Sequence, residues 1–416
     1  LLAASPLFNG NTDYANFKDK DGEPFFPQTN DANKWKIASD ACKEALDVAL
    51  KAGHDLYDFK EETLENLPEN LMYSMNVRQA VTERFNKELV WGCGKSYTYD
   101  LQCMCQPRIL LFHGEKQNTC KGAYSPTLDI AEMFYSNNGV PIEEDKEWAA
   151  NNSYNNRYET AVATATDKYF IKEGYQTVKL HFNREPSFYG TLGFDGSSWY
   201  GHGKEHADDL YYLEAKKGQI TGQSQLANYS VTGYYAKKLV YYKNIISESS
   251  AVIEEYPFPI VRLADLYLMY AEALNELTPG NSYEVTNWQG ETMVVSRNTE
   301  EMSKSVSRVR IRAGMPDYEQ EVYNDQTLFR KKLMHERQVE FMGENQRYHD
   351  LRRWKNVAIE ESEQIYGCNV LMTEATKERF YERVRVENLQ ANFSRKMYFW
   401  PILERELQWN RRMTQA

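Results

Sequence analysis

Residues Thr327 to Lys355 read TLFRKKLMHERQVEFMGENQRYHDLRRWK, and this stretch decides the fold. It spells a long helix, a break near Gly343 and a second, short helix. Leu328, Leu333 and Phe341 supply apolar positions, while Glu336, Arg337, Glu340, Glu344, Arg347, Asp350, Arg352 and Arg353 crowd the remaining faces. Acid and base alternate at three- and four-residue spacing, so these charges can pair along the helix and with a neighbouring element. Taken alone, the same alternation also describes a solvated, salt-bridged helix surface.

Helical pattern flanks this stretch and recurs near the start of the chain. Between Asn30 and Leu56, Trp35, Ala38, Cys42, Ala45 and Ala49 form one face at helical spacing, with Asp31 as N-cap and Gly53 as the stop. The small residues on that face permit close approach of a second helix. Behind Pro257 and Pro259, a stripe from Ile260 through Leu263, Ala264, Tyr267 and Ala271 to Leu274 predicts another helix, ended by Pro279-Gly280. Arg262, Asp265 and Glu272 lie off that stripe. The interval 281–301 reads as a surface hairpin or mobile loop, and Ser303 to Arg312 as a helix stopped by Gly314 and Pro316. Trp400-Pro401 cannot sit inside a helix, so the segment Lys396 to Leu407 reads as extended chain followed by one turn.

From Phe59 to Glu255 the pattern changes. Ser74 to Lys87 keeps an amphipathic helical spacing, but elsewhere Gly, Asn, Ser and Tyr interrupt every run. Gly94 to Tyr124 reads as a long ordered loop with one short strand at Ile109 to Phe112. YQTVKLHFN near Tyr175 and SFYGTLGFDG near Ser187 alternate like strands closed by Gly-rich turns. Long ordered loops in a compact protein are uncommon and usually functional, which directs the search for a binding site here.

Composition narrows the classes. At 416 residues the chain can bury a sizeable core. A net charge of -11 argues against nucleic acid, whose phosphates require a basic face. No apolar run approaches the roughly eighteen residues of a membrane-spanning helix. Tyrosine is abundant, with 30 copies beside 8 Trp and 18 Phe, which suits both helix packing and a surface that meets ligands through flat rings. Four of the six cysteines, Cys93, Cys103, Cys105 and Cys120, share one short stretch, with Cys42 and Cys368 distant. The absence of a Cys-x-x-Cys pair favours disulfides that pin a loop over a metal site, with the pairing left open.

Further segments, together with ERQVEFMGENQRYHDLRRW, give the chain a family resemblance. LLAASPLFNGN opens at Leu1, SPTLDIAEMFYSNNGVPI at Ser125 and FNREPSFYGTLGFDGSSWYG at Phe182. YPFPIVRLADLYLMYAEALNE follows at Tyr256, SRVRIRAGMP at Ser307 and YFWPILERELQWN at Tyr398. In this order they resemble the RagB/SusD family, the surface nutrient-binding lipoproteins of Gram-negative outer membranes. The family's asparagine-rich, glycine-terminated tail is replaced here by RRMTQA. The resemblance implies a mainly α fold: tetratricopeptide-like helical repeats forming a superhelical scaffold, with a loop-rich mixed segment carrying short strands. It implies three parts: helical repeat 1–58, ligand-binding segment 59–255, and scaffold with the signature 256–416. In the family the Ala-Ser-Pro-Leu-Phe segment lies well inside the chain, so this sequence is expected to be the later part of a longer protein. The lipid anchor is expected in the preceding part, and the location at the outer-membrane surface. The implied function is capture of an oligosaccharide or polysaccharide, less often a peptide, for a SusC-like TonB-dependent transporter.

No Gly-x-Ser-x-Gly elbow, His-Glu-x-x-His, P-loop or dinucleotide fingerprint is present, and no carboxylate pair is marked out for glycoside hydrolysis. His202 and His206, with Asp208 and Asp209, read as a solvated loop before a metal site. No cofactor, no metal and no catalytic activity are expected. A sugar offers apolar faces and polar edges, so it calls for flat rings beneath and planar hydrogen-bonding groups at the rim. Covering on the order of 100 Å² per ring is worth about 2.5 kcal/mol before ordering costs. Trp91, Tyr97 and Tyr99 are the candidate platforms, with Gln102 and Arg108 as rim donors and Trp199 and Tyr200 as a second choice. A wholly buried Trp91, at the end of ELVW, is the competing reading of that residue. Glu336, Arg337, Glu340, Glu344, Arg347 and Asp350 are assigned to architecture. The alternatives are an oligopeptide-binding member of the same family, a scaffold whose only ligand is protein, and a glycan-acting enzyme.

Overall fold

Asp325 starts the decisive helix, its carboxylate accepting from the Thr327 and Leu328 amides. In the computed structural model, which describes residues 1–63, 65–110, 119–224, 228–286, 289–361, 363–390, 392–410 and 413, that helix runs Gln326–Glu340. Gly343 and Asn345, both at positive φ, turn the chain into the second helix, Gln346–Trp354, as the sequence reads. The fold is mainly helical, and every sheet among the described residues is two-stranded.

The first long helix spans Asn33–Lys51. Asp31 helps from one residue further out than expected, accepting the Asn33 amide at 2.9 Å. Its small face packs on the Leu263–Asn275 helix, and the Thr299–Arg312 and Gln326–Glu340 helices complete this core. Ala38, Cys42 and Ala49 meet Ala264, Tyr267 and Ala271 in it, which is the close, small-residue packing of tetratricopeptide-like pairs. The strand Phe258–Arg262 precedes the second helix of the pair, so the apolar stripe read from Ile260 enters helix only at Leu263. The 281–301 interval contains a hairpin, Ser282–Thr286 against Thr292–Ser296, in continuous register.

A larger core gathers the loop-rich region around Phe134, Phe188, Leu192, Trp199 and Leu239. Here the sequence reading needs correction in three places. The helix expected over Ser74–Lys87 is Glu69–Thr82; it begins behind Pro68, and the chain leaves helical geometry at the extended Glu83, with Phe85 at φ +54 in the turn that follows. SFYGTLGFDG is not a strand throughout: Pro186–Thr191 is helical and only Leu192–Gly193 pairs, with Tyr235–Ala236. Gly190 shows why this helix lies flat against Glu69–Thr82, because a Cβ there would meet the Ser74 carbonyl oxygen at 2.3 Å. The Gly94–Tyr124 stretch contains a helix, Thr98–Cys105. Its buried residues are Thr98, Gln102, Cys103 and Cys105, a set without any large apolar side chain, so hydropathy leaves no apolar stripe to read. Of the strand expected at Ile109–Phe112, Ile109 and Leu110 are not strand, and Leu111 and Phe112 lie outside the described residues.

Residues near both ends of the chain meet in a hydrophobic cluster of Leu7, Tyr14, Leu351, Val357 and Tyr398, with Phe8, Phe26 and Phe399 packed against it. Trp400-Pro401 is extended and a short helix, Glu404–Trp409, follows. All six cysteines carry free thiols, so the disulfides expected from composition are not formed.

Candidate functional site

The strand Leu89–Cys93 pairs antiparallel with Phe258–Arg262, placing Trp91 opposite Val261. A few residues on, Ser96 and Thr98 both donate their hydroxyls to the Tyr256 carbonyl, at 3.0 and 2.8 Å. Tyr97 lies between those two anchors. One stretch, 256–262, thus fixes both the strand that carries Trp91 and the turn that carries Tyr97. From Tyr256 to Val261 an extended chain covers roughly 16 Å.

All three candidate rings stand open: Trp91 is 63% exposed, Tyr97 84% and Tyr99 42%. The core reading of Trp91 therefore fails. One ring that the sequence reading passed over, Tyr124, is also partly open, as is the thioether side chain of Met104. Tyr124 donates its amide to the Met104 carbonyl at 2.9 Å, which seats it against the last turn of the Thr98–Cys105 helix. Tyr124 and Met104 are both exposed.

The rim donors are elsewhere. Gln102 is fully buried; its amide nitrogen donates to the Glu254 carbonyl at 2.7 Å, and its oxygen accepts from the Tyr241 amide and the Asn244 side chain. Arg108 is also buried, giving its guanidinium to the carbonyls of Ile220, Asn228 and Gly222. Both are long polar side chains spent on satisfying loop carbonyls that no ladder reaches, the usual fate of buried polar groups. The second choice fails for a different reason. Trp199 is fully enclosed, with the Arg78 guanidinium 5.2 Å and the Lys237 ammonium 5.6 Å from its ring. Tyr200 is buried against Tyr242 and donates its hydroxyl to the Glu205 carbonyl. His202 and His206 diverge: the first is buried beside Trp199, the second is at the surface 3.3 Å from Glu65.

The signature charges form the frame beneath. Arg262 reaches Glu88, Glu340 and Glu344, Arg312 reaches Glu88 and Glu340, and Lys238 reaches Glu344 at 2.6 Å. Three carboxylates thus meet three cations with every member buried. Burial alone would raise the Glu340 carboxyl, but Arg312, Arg262 and Lys238 hold it down at about 2. Beside this group, Arg337 bridges Asp265 at 2.7 Å and Asp350 at 2.8 Å, and Arg353 joins Asp350 to Glu272. Glu336 pairs with Arg310 at 2.5 Å. Arg347 departs from the expectation: it pairs with Glu360 at a partly exposed position outside the buried groups. Glu88, Lys238 and Arg312 were not singled out from sequence. For Lys238 the signal was present, since Lys237 and Lys238 interrupt the otherwise apolar run YYAKKLVYY.

Among the described residues no helix is long and apolar enough to cross a membrane, and no group of three or more His, Cys, Asp or Glu side chains is arranged to hold a metal ion.

Comparison with known proteins agrees with this architecture. Two solved structures of BT4246, one of them its selenomethionine form, match at 27% identity over 100% of this chain. Their TM-scores are 0.80 and 0.79, with 70% and 68% of the matched chains covered. A SusD-like protein of Bacteroides fragilis NCTC 9343, BF3747, shares the fold at 18% identity and a TM-score of 0.60, over 92% of this chain and 64% of that one. No curated protein matches. The SusD family profile matches residues 82–416, which contain the whole buried charge frame and every candidate ring, so the chain belongs to the SusD family.

Proposed function

We propose that this chain binds an oligosaccharide on the open rings Trp91, Tyr97 and Tyr99 and passes it on unaltered to a TonB-dependent outer-membrane transporter. The observation that carries the reading is the exposure of all three rings on one anchored stretch, in a protein that leaves few of its other described aromatic side chains exposed. Exposed flat rings cost solvation unless a ligand covers them, and a sugar face is a ligand of the right shape. The roughly 16 Å between the anchors of Trp91 and Tyr97 suits a chain of several sugars better than a single one. Residues 59–255 would hold the ligand, and the helical parts 1–58 and 256–416 would form the frame that docks on the transporter. Membership of the SusD family supports that division, together with a lipid-anchored place at the outer surface of the outer membrane.

An oligopeptide ligand is the second reading, favoured by one feature. Among the described residues the strand Leu89–Cys93 pairs only with Phe258–Arg262, so its other edge offers main-chain groups beside Trp91. Calorimetric titration of the purified chain with a panel of oligosaccharides and of oligopeptides separates the two. Saturable glycan binding at micromolar to millimolar concentration is expected, without release of new reducing ends over time. Binding confined to peptides, or breakdown of the glycan, would sink the first reading. Co-purification with a β-barrel partner tests the delivery step.

A further inference from the structure

Between Thr82 and Glu88 the chain turns through Phe85 at φ +54, a left-handed geometry that a bulky side chain rarely adopts. Asn86 braces that turn. Its side-chain amide donates to the Ala80 and Glu83 carbonyls at 3.2 and 2.8 Å, and its oxygen accepts the Glu88 amide at 2.9 Å. The turn is thereby held, with the Phe85 ring 75% exposed. Backbone strain that neighbours maintain in this way gathers at sites that meet ligands.

Phe85 walls a recess of about 290 Å³ together with Arg84, Glu83, Glu62 and Tyr57. That volume is at the small end of ligand pockets, roughly 300–1,000 Å³, and suits one ring rather than a chain of them. Tyr57 is 1% exposed, packed among Phe59, Tyr241 and Tyr242, and its amide donates to Glu88 at 2.9 Å. Burial first, then Glu83 and Glu62, raise its phenol above the ordinary range, so its hydroxyl lies on the side of those carboxylates. Among the described residues that hydroxyl has no hydrogen-bond partner, and neither has the enclosed Oε2 of Glu83. Oε1 of the same carboxylate accepts from the Tyr241 hydroxyl at 3.2 Å. Two orphaned polar atoms at one recess are costly unless something enters to satisfy both.

Charge narrows what enters. Burial raises the Glu83 carboxyl and Lys243 already opposes that rise, so a second cation would be surplus. A neutral hydroxyl answers both atoms, donating to Glu83 Oε2 and accepting from the Tyr57 hydroxyl. A sugar ring carries such hydroxyls at its edge, and an apolar face for Phe85 to cover. We propose that the recess is a second ligand site, taking one neutral sugar ring with Phe85 as platform and Glu83 and Tyr57 as a hydroxyl clamp. Trp91, Tyr97 and Tyr99 do not line it, and it does not rest on the glycan binding proposed for them.

Saturation-transfer NMR tests it on the chain carrying Trp91→Ala, Tyr97→Ala and Tyr99→Ala together, which removes the open rings. The probes are methyl glycosides of neutral hexoses and N-acetylhexosamines, with methyl glucosaminide as the cationic control. Saturable binding of a neutral glycoside at millimolar concentration is expected. Adding Tyr57→Phe should weaken it about fivefold or more, and adding Phe85→Gly should abolish it. Neither change should lower Tm, because one removes an orphaned hydroxyl and the other relieves the left-handed strain. No saturable binding, as in a recess that holds only water, overturns the proposal. Binding indifferent to both changes overturns it too, and so does a fall in Tm with Tyr57→Phe, which would give that hydroxyl a structural partner. Preference for the cationic glycoside overturns the neutral class of ligand. The reading of the open rings fails separately, if the parent binds longer oligosaccharides no better than the triple variant does.

Discussion

Arg262 holds Glu344 by two hydrogen bonds at once, Nε to Oε2 at 2.7 Å and Nη2 to Oε1 at 2.8 Å, across a gap of 82 residues in sequence. The planar fork matches the carboxylate, and the remaining donors reach Glu88 and Glu340. Arg262→Met would leave three buried carboxylates to Arg312 and Lys238 alone. A loss of about 3–5 kcal/mol is expected in urea unfolding. Arg262→Lys keeps the charge but not the fork, and should fall between the two. A lysine variant as stable as the parent would show that charge alone, and not the bidentate geometry, is what the frame requires.

Two arginines of the signature stretch separate by environment. Arg337 is enclosed between Asp265 and Asp350, whereas Arg347 pairs with Glu360 where both side chains are about a third exposed, at 30% and 35%. Removing one side of an enclosed pair leaves an uncompensated charge; removing a solvated one leaves water to take over. Arg337→Ala is expected to cost about 3–5 kcal/mol and Arg347→Ala about 0–1 kcal/mol. Melting curves of the two variants side by side decide it, and equal losses would contradict the division.

How far the sequence discloses this arrangement depends on which surface a residue uses. The Gln326–Glu340 and Gln346–Trp354 helices were legible because apolar spacing, alternating charge and a glycine break agree with one another. The Thr98–Cys105 helix was not, since its inward face is polar and satisfied by hydrogen bonds that form only on folding. The same physics misled the choice of rim donors. Gln102 and Arg108 look like binding groups in a loop, but a loop without a ladder must find internal donors for its own carbonyls. Arg347 fits the charge pattern as well as Arg337 does, and only packing tells them apart.

Glu185 gives the structure a pH signature. Its carboxylate accepts the Tyr135 amide at 2.7 Å, but burial first, then Glu336, push the carboxyl up to about 8 against the opposing pull of that amide, Arg310 and Arg184. A folded value above the unfolded one, about 4.3, means that its stabilising share is full below that point and is lost as pH rises through 8. The loss runs at about 1.4 kcal/mol per pH unit inside that window. The buried His181 and His202 act oppositely, because burial lowers both and their share is lost as pH falls below about 6.5. Comparing the parent with Glu185→Gln cancels the histidines. The variant should gain stability relative to the parent between about pH 4.3 and 8, with no further change above. A pH-independent difference would mean that Glu185 is ionised in the folded protein.

Binding and stability should part company within a few residues of each other. Tyr97 is 84% exposed, so Tyr97→Ala removes little packing. If its ring meets a sugar face, losing about 1–2 kcal/mol of stacking raises Kd by about 5–30-fold with Tm unchanged. Trp91→Ala should behave alike. Gln102 lies only five positions further on, yet Gln102→Ala strands the Tyr241 amide, the Asn244 side chain and the Glu254 carbonyl, at a cost of about 1–3 kcal/mol of stability. Its Kd per folded molecule should stay within about twofold of the parent, because a difference of a few tenths of a kcal/mol is all that an indirect effect transmits. Titration and melting of the three variants provide the comparison. Tight glycan binding by Tyr97→Ala and Trp91→Ala together would remove the rings from the site and return the search to the strand edge beside them.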